Sequence, residues 1–98
     1  MISKNEILAT LKEILPELQN DYSVKEIGLF GSFSNKSSEP DHDSDIDILV
    51  EFEKPIGWKF FSLEIYLEKK FGRKIDLVTK NALKEQLKDQ ILSEVQYV

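Results

Sequence analysis

Ninety-eight residues, 41% of them apolar and 10% aromatic, suffice for one modest hydrophobic core and predict a single domain over residues 1–98. A net charge of −5 argues against direct nucleic-acid binding, which needs a basic surface to displace counterions. With no cysteine and one histidine, disulfides, thiolate sites and His-rich metal sites are excluded, which leaves carboxylates as metal ligands and hard cations as their metals.

In chain order, Ser3-Lys4-Asn5-Glu6 matches a capping box. Ile7, Leu8, Leu11, Ile14, Leu15 and Leu18 follow at helical spacing, so an amphipathic first helix is expected. Pro16 removes an internal hydrogen bond and predicts a kink or an early end, with a turn at Asn20-Asp21. The segment does not have the continuous apolar core of a signal peptide, and no apolar run approaches the ~20 residues that span a bilayer. A cytoplasmic protein without membrane contact is the expectation.

Val24 to Phe30 reads as a buried strand with Ile27 and Leu29 on one face. Gly31-Ser32 leaves it, and Ser32 to about Ser38 is a short helix or a loop. Four aspartates then alternate: Asp41, Asp43, Asp45 and Asp47. The second strand, Asp45 to Phe52, places Ile46, Ile48 and Val50 on one face and Asp45, Asp47 and Leu49 on the other. After the turn at Glu53 to Gly57, Trp58 to Phe71 is a helix with Phe60, Leu63, Leu67 and Phe71 inward, capped by Gly72. Lys74 to Thr79 is a third strand with Asp76 between Ile75 and Leu77. Asn81 is positioned to cap a last helix with the stripe Leu83, Leu87, Ile91 and Val95. The order αβ(α)βαβα predicts an α/β (α+β) domain: a small mixed sheet flanked by helices.

Side chains two apart on a strand share a face, so Asp45 and Asp47 present adjacent carboxylates, and Asp76 can join them from a neighbouring strand. Unpaired, such acids repel; a divalent cation makes the arrangement favourable. Three carboxylates can serve one or two Mg²⁺ ions, and two ions about 3.5–4 Å apart can grip a triphosphate and activate an attacking hydroxyl. A glycine at a strand exit admits a phosphate close to the backbone, and the Ser32 hydroxyl can bond the same group. Each element alone has an ordinary alternative. Gly-Ser is a common turn, Asp-x-Asp a common solvated loop, and Asp76 can be a charge that protects an edge strand.

Together, FGS, the later SDIDILV and GRKIDLVT resemble the minimal nucleotidyltransferase domains of the polymerase-β superfamily, over nearly the whole chain. The resemblance implies Mg²⁺ (two ions, with Mn²⁺ as a substitute) at Asp45, Asp47 and Asp76, and an ATP triphosphate near Gly31 and Ser32. It also implies a partner: prokaryotic members pair with a HEPN-domain toxin, and can silence it by moving AMP from ATP to a tyrosine. The alternative is an antitoxin that neutralises its partner by contact alone. Ninety-eight residues do not accommodate a second domain for a template or antibiotic, so the acceptor is expected to dock on this one.

Two departures stand out. The family's usual ten-residue spacer after Gly-Ser would select Asp43-Ser44-Asp45, whereas the apolar strand that follows selects Asp45-Ile46-Asp47 with a spacer of twelve; the second register is adopted, leaving Asp41 and Asp43 in a solvated connector. Many relatives also carry an arginine after Gly-Ser, where this chain has Lys36, a point charge without the bidentate fork. Of the rest, His42 reads as a loop residue. Trp58 and Tyr66 read as core or partner-facing residues, with adenine stacking as a lesser option. Arg73 and Lys74 are surface charges or phosphate neighbours, and Tyr97 is a packed or frayed tail residue or a self-modification acceptor.

Overall fold

The computed structural model describes residues 3–31 and 46–98. Its elements are α1 (Lys4–Tyr22), β1 (Val24–Phe30), β2 (Ile46–Phe52), α2 (Lys59–Phe71), β3 (Ile75–Thr79), a 3-10 turn at Lys80–Ala82, α3 (Glu85–Glu94) and β4 (Gln96–Tyr97). The strands form one mixed sheet in the order β3-β2-β1-β4, with β1 antiparallel to β2 and β4, and β2 parallel to β3. The α/β reading with a small mixed sheet holds, with a fourth strand added. The sequence-predicted segment after Gly31, helix or loop, lies outside the described residues.

The Ser3 hydroxyl accepts from the Glu6 amide at 3.2 Å, which is half of the expected capping box. Pro16 neither ends nor shortens α1, which runs on through Asn20-Asp21 to Tyr22. The carbonyl that loses its partner to proline is that of Lys12, on an exposed residue where water can satisfy it. Beyond the proline, Leu18 is fully buried and holds the last turn against the sheet. Burial outweighs the local cost there. Ser23 ends the helix in a left-handed conformation at φ 56°, its amide donating to the Leu18 carbonyl.

The core lies on one side of the sheet. Ile7, Leu11, Ile14 and Leu18 of α1 and Leu63, Leu67 and Phe71 of α2 pack on Ile27, Leu29, Ile46, Ile48, Val50, Ile75 and Leu77. Alternation then assigns the odd members Asp47 and Leu49 to the opposite face, as expected, and Leu49 is buried there outside the main cluster. Gly72 caps α2 at φ 65°, donating to the Glu68 carbonyl at 2.8 Å, and feeds the chain directly into β3.

The C-terminal region departs most from expectation. Asn81 sits inside the 3-10 turn rather than capping α3, and the residue before α3 is Lys84, which makes no side-chain cap. Leu83 precedes the helix, Val95 follows it, and no α3 residue is buried; Leu87 is among the exposed large apolar residues. The stripe is only partly covered: Leu83, Ile91 and Val95 are half-buried while Leu87 is exposed. The tail is neither frayed nor helical: Gln96 and Tyr97 pair with Leu29 and Gly28, the Val98 amide donates to the Ile27 carbonyl at 3.1 Å, and Val98 packs on the core.

Candidate functional site

The parallel register between β2 and β3 sets Ile46 beside Ile75, Asp47 beside Asp76 and Ile48 beside Leu77. Ile46, Ile75, Ile48 and Leu77 are core residues, so Asp47 and Asp76 emerge together on the other face. Neighbouring strands lie about 4.8 Å apart, which brings the two carboxylates within reach of a common ligand. The pairing is pinned at its first rung, where the Ile46 amide donates to the Lys74 carbonyl at 3.0 Å. Asp76 is exposed and Asp47 half-buried.

Both acids are second residues of their strands, so the pair stands at the end of the sheet, not in the middle of β3 as the KIDLVT segment suggests by its symmetry. β3 is also an edge strand, as an aggregation-blocking charge would require. Its register partner Asp47 adds a second carboxylate that an edge charge does not require.

β1 arrives antiparallel, Phe30 opposite Asp47, and ends at Gly31 beside the same acid. Gly31 has φ 76°, a left-handed backbone that side chains disfavour, and a Cβ placed on it would collide with Asp47 Oδ2 and lie 2.9 Å from Asp47 Cγ. The strand end, Asp47 and Asp76 therefore converge at one end of one face. Ser32, Lys36, His42, Asp41, Asp43 and Asp45 lie outside the described residues.

The donor set fits a hard cation, since magnesium commonly takes one or two protein carboxylates and completes its shell with water and phosphate oxygens. Among the described residues, no group of three or more His, Cys, Asp or Glu side chains is gathered closely enough for a metal. Asp47 and Asp76 supply two carboxylates. Arg73 and Lys74 flank the start of β3, Arg73 half-buried and Lys74 exposed.

Other candidates fall elsewhere. A cleft of about 310 Å³ is lined by Val50 to Pro55 and Thr79 to Asn81, around a Lys80–Glu51 ion pair of 3.5 Å. The register pair Val50–Thr79 puts it at the far end of β2 and β3, away from the acids. Trp58 is not a core residue: it is 85% exposed, just before α2. The thirteen residues of α2 span about 20 Å and pack on the other side of the sheet from Asp47, which removes Trp58 from any nucleotide held there. Tyr66 is a packing residue, half-buried against the core and donating to Glu17 Oε2 at 2.9 Å.

Two features escaped the sequence reading. Phe30 shares the acids' face opposite Asp47, a placement that only the pairing register reveals. Trp58, Phe61 and Ile65, exposed at 85, 54 and 52%, form a second apolar stripe on the solvent side of α2. Its i, i+3, i+7 spacing was visible beside the inward stripe, but periodicity cannot say which of two stripes meets the core.

The family model described as a nucleotidyltransferase domain matches residues 9–98. The chain is 43% identical over 99 aligned positions to a protein of Thermococcus cleftensis named protein adenylyltransferase MntA, covering 100% of this chain and 98% of that one. A Methanocaldococcus jannaschii protein with a provisional protein adenylyltransferase name is 46% identical over 88 positions, covering 85% of this chain and 100% of that one. Among solved structures, a minimal nucleotidyltransferase superposes with a TM-score of 0.79 at 27% identity, covering 97% of this chain and 95% of the other. A complex described as a tri-AMPylated Shewanella oneidensis HEPN toxin with MNT antitoxin matches at TM-score 0.66 and 21% identity, over 96% of this chain and 70% of that one. At that identity the likeness shows the fold alone. No helix among the described residues is long and apolar enough to cross a membrane.

Proposed function

This chain belongs to the nucleotidyltransferase-domain family, with the polymerase-β-like fold of its minimal members, and from that premise we propose that it is a Mg²⁺-dependent protein adenylyltransferase. Its substrate is ATP, its acceptor a tyrosine hydroxyl of a HEPN-domain toxin, and its role that of the antitoxin. The single observation that carries the reading is the Asp47–Asp76 pair in register on one face, beside the end of β1.

In this reading Asp47 and Asp76, with Asp45, hold Mg²⁺, which when bound neutralises phosphate charge and lowers the pKa of an attacking hydroxyl. Gly31 and Ser32 face the triphosphate, with Lys36 as a nearby positive charge. In the same reading Asp76, the more exposed acid, accepts the proton of an incoming hydroxyl. The hydroxyl oxygen bonds to the α-phosphorus, the bond from that phosphorus to the bridging oxygen breaks, and pyrophosphate leaves with the electron pair. The mixed sheet keeps both acids on rigid strands, so little reorganisation is needed before transfer.

The exposed stripe of Trp58, Phe61 and Ile65 favours a second reading, in which the domain neutralises a partner by contact. One experiment separates the two. The chain, Mg²⁺ and ATP labelled at the α-phosphate are mixed with the HEPN-domain protein that this reading assigns as its partner. Label on the partner that disappears with Asp47→Asn and with chelator is the expected result. Neutralisation without label, unaffected by Asp47→Asn, overturns the catalytic reading in favour of contact.

A further inference from the structure

A phosphate at the Gly31 backbone does not by itself explain why this position has no side chain; the described atoms do. The direction in which a side chain would leave Gly31 is occupied by the Asp47 carboxylate: Oδ2 in collision, Cγ at 2.9 Å and Cβ at 3.1 Å. Real Cβ atoms do not come that close, so any residue with a Cβ must push Asp47 aside. We propose that Gly31 is a positioning residue whose missing side chain is the seat of the Asp47 carboxylate. The glycine of FGS and the second aspartate of DID are then one interlocked unit across two strands.

Three further facts support the seat. Phe30 pairs directly with Asp47, so the position after it falls beside the acid by register. The strand carrying Asp47 cannot easily retreat, being bonded to β1 on one side and to β3 on the other, with Ile46 and Ile48 fully buried around it. Asp47 is half-buried whereas Asp76 is exposed. An acid held against a wall keeps few rotamers, so its oxygens are directed before any ligand arrives. Asp76 keeps the freedom that a proton acceptor can use.

The proposal adds to the functional reading, in which Asp47 is a metal ligand, and its first test does not depend on that reading. A double-mutant cycle on thermal midpoints compares Gly31→Ala in the native chain and in an Asp47→Ala background. Left-handed backbone strain falls equally on both arms and cancels, while the collision exists only when Asp47 is present. Gly31→Ala is expected to lower the midpoint by at least about 4 °C more in the native background. Equal losses in both backgrounds overturn the seat. Should Gly31→Ala alone not fold, recovery of folding on adding Asp47→Ala is the same positive result, and no recovery the same negative one. Gly31→Asn tests the Cβ with less backbone strain, because asparagine tolerates left-handed angles.

The second readout is Mn²⁺ titrated into the metal-free protein. Gly31→Asn is expected to weaken Mn²⁺ binding about as much as Asp47→Asn, with no further loss when the two are combined. Additive losses would mean that Gly31 acts independently of the acid and refute the seat. A native chain that binds no Mn²⁺ would sink the functional reading, while the thermal cycle still decides the seat.

Discussion

Removing one acid of the pair should make the metal-free protein more stable. Asp47 and Asp76 are register partners and share a face of adjacent parallel strands, which lie about 5 Å apart. At the dielectric of water, two like charges at that distance repel by about 0.8 kcal/mol, and an environment between water and protein raises the figure to between 1 and 2 kcal/mol. Asp76 is exposed, so the lower end applies, and physiological salt, with a Debye length of about 8 Å, removes only part of it. Asp76→Asn keeps the shape and deletes the repulsion. In EDTA its thermal midpoint should therefore rise by about 3–6 °C, given roughly 4–8 °C per kcal/mol for a domain of this size. Added Mg²⁺ should reverse the order. At ten times its dissociation constant a ligand stabilises by about 1.4 kcal/mol, a gain that the native pair receives and the variant largely loses. Thermal unfolding of both proteins in EDTA and in Mg²⁺ checks each half. A variant that is less stable in EDTA, or that gains as much from Mg²⁺ as the native chain, refutes the argument that the pair is a strained site awaiting a cation.

Two apolar substitutions should separate the faces of the elements. Ile48→Ala, at a fully buried position between the acids' strand and both helices, is expected to cost about 2–5 kcal/mol in urea unfolding, whereas Trp58→Ala should stay within about 0.5 kcal/mol. A comparable cost for Trp58 would place it in the core. Burial, and then the hydrogen bond to Glu17, raises the Tyr66 pKa above its ordinary 10.0. The folded state thus holds the proton more tightly, and the contribution is whole below about pH 10 and lost as pH rises through the folded value. The stability difference between the native chain and Tyr66→Phe should accordingly be flat from pH 8 to 9.5 and change in favour of the variant above pH 10. A difference independent of pH across that range would refute the raised pKa, and with it burial and the Glu17 bond as its joint causes.

The parts of the site that depend on local rules are legible in the sequence. Strand alternation separates Ile46, Ile48 and Val50 from Asp47 and Leu49 in any sheet with one buried face, and the core bears that division out. The helix ending at Gly72 was legible because a left-handed cap favours glycine. Failures came where a local signal had a tertiary competitor. Of the kink or early end that Pro16 predicts, the early end does not occur: α1 runs on to Tyr22, with Leu18 buried beyond the proline. The stripe of Leu83, Leu87, Ile91 and Val95 predicts a helix with a buried face, yet within α3 Leu87 is exposed and Ile91 only half-buried. β4 was invisible because two residues carry no period, and their strand exists only as a partner for β1.

The sequence by itself determined that carboxylates must do any metal chemistry here, that Asp47 faces away from its apolar neighbours, and that Gly31 ends a strand. Those follow from composition and from the two-residue period of an extended chain. Only the tertiary structure decided that Asp76 lies beside Asp47 rather than elsewhere along the sheet, and that Gly31 abuts the same carboxylate. Register between strands is set by the burial of Ile46, Ile48, Ile75 and Leu77 against α1 and α2 acting together. No stretch of residues contains that information alone, because it belongs to the packing of four elements at once.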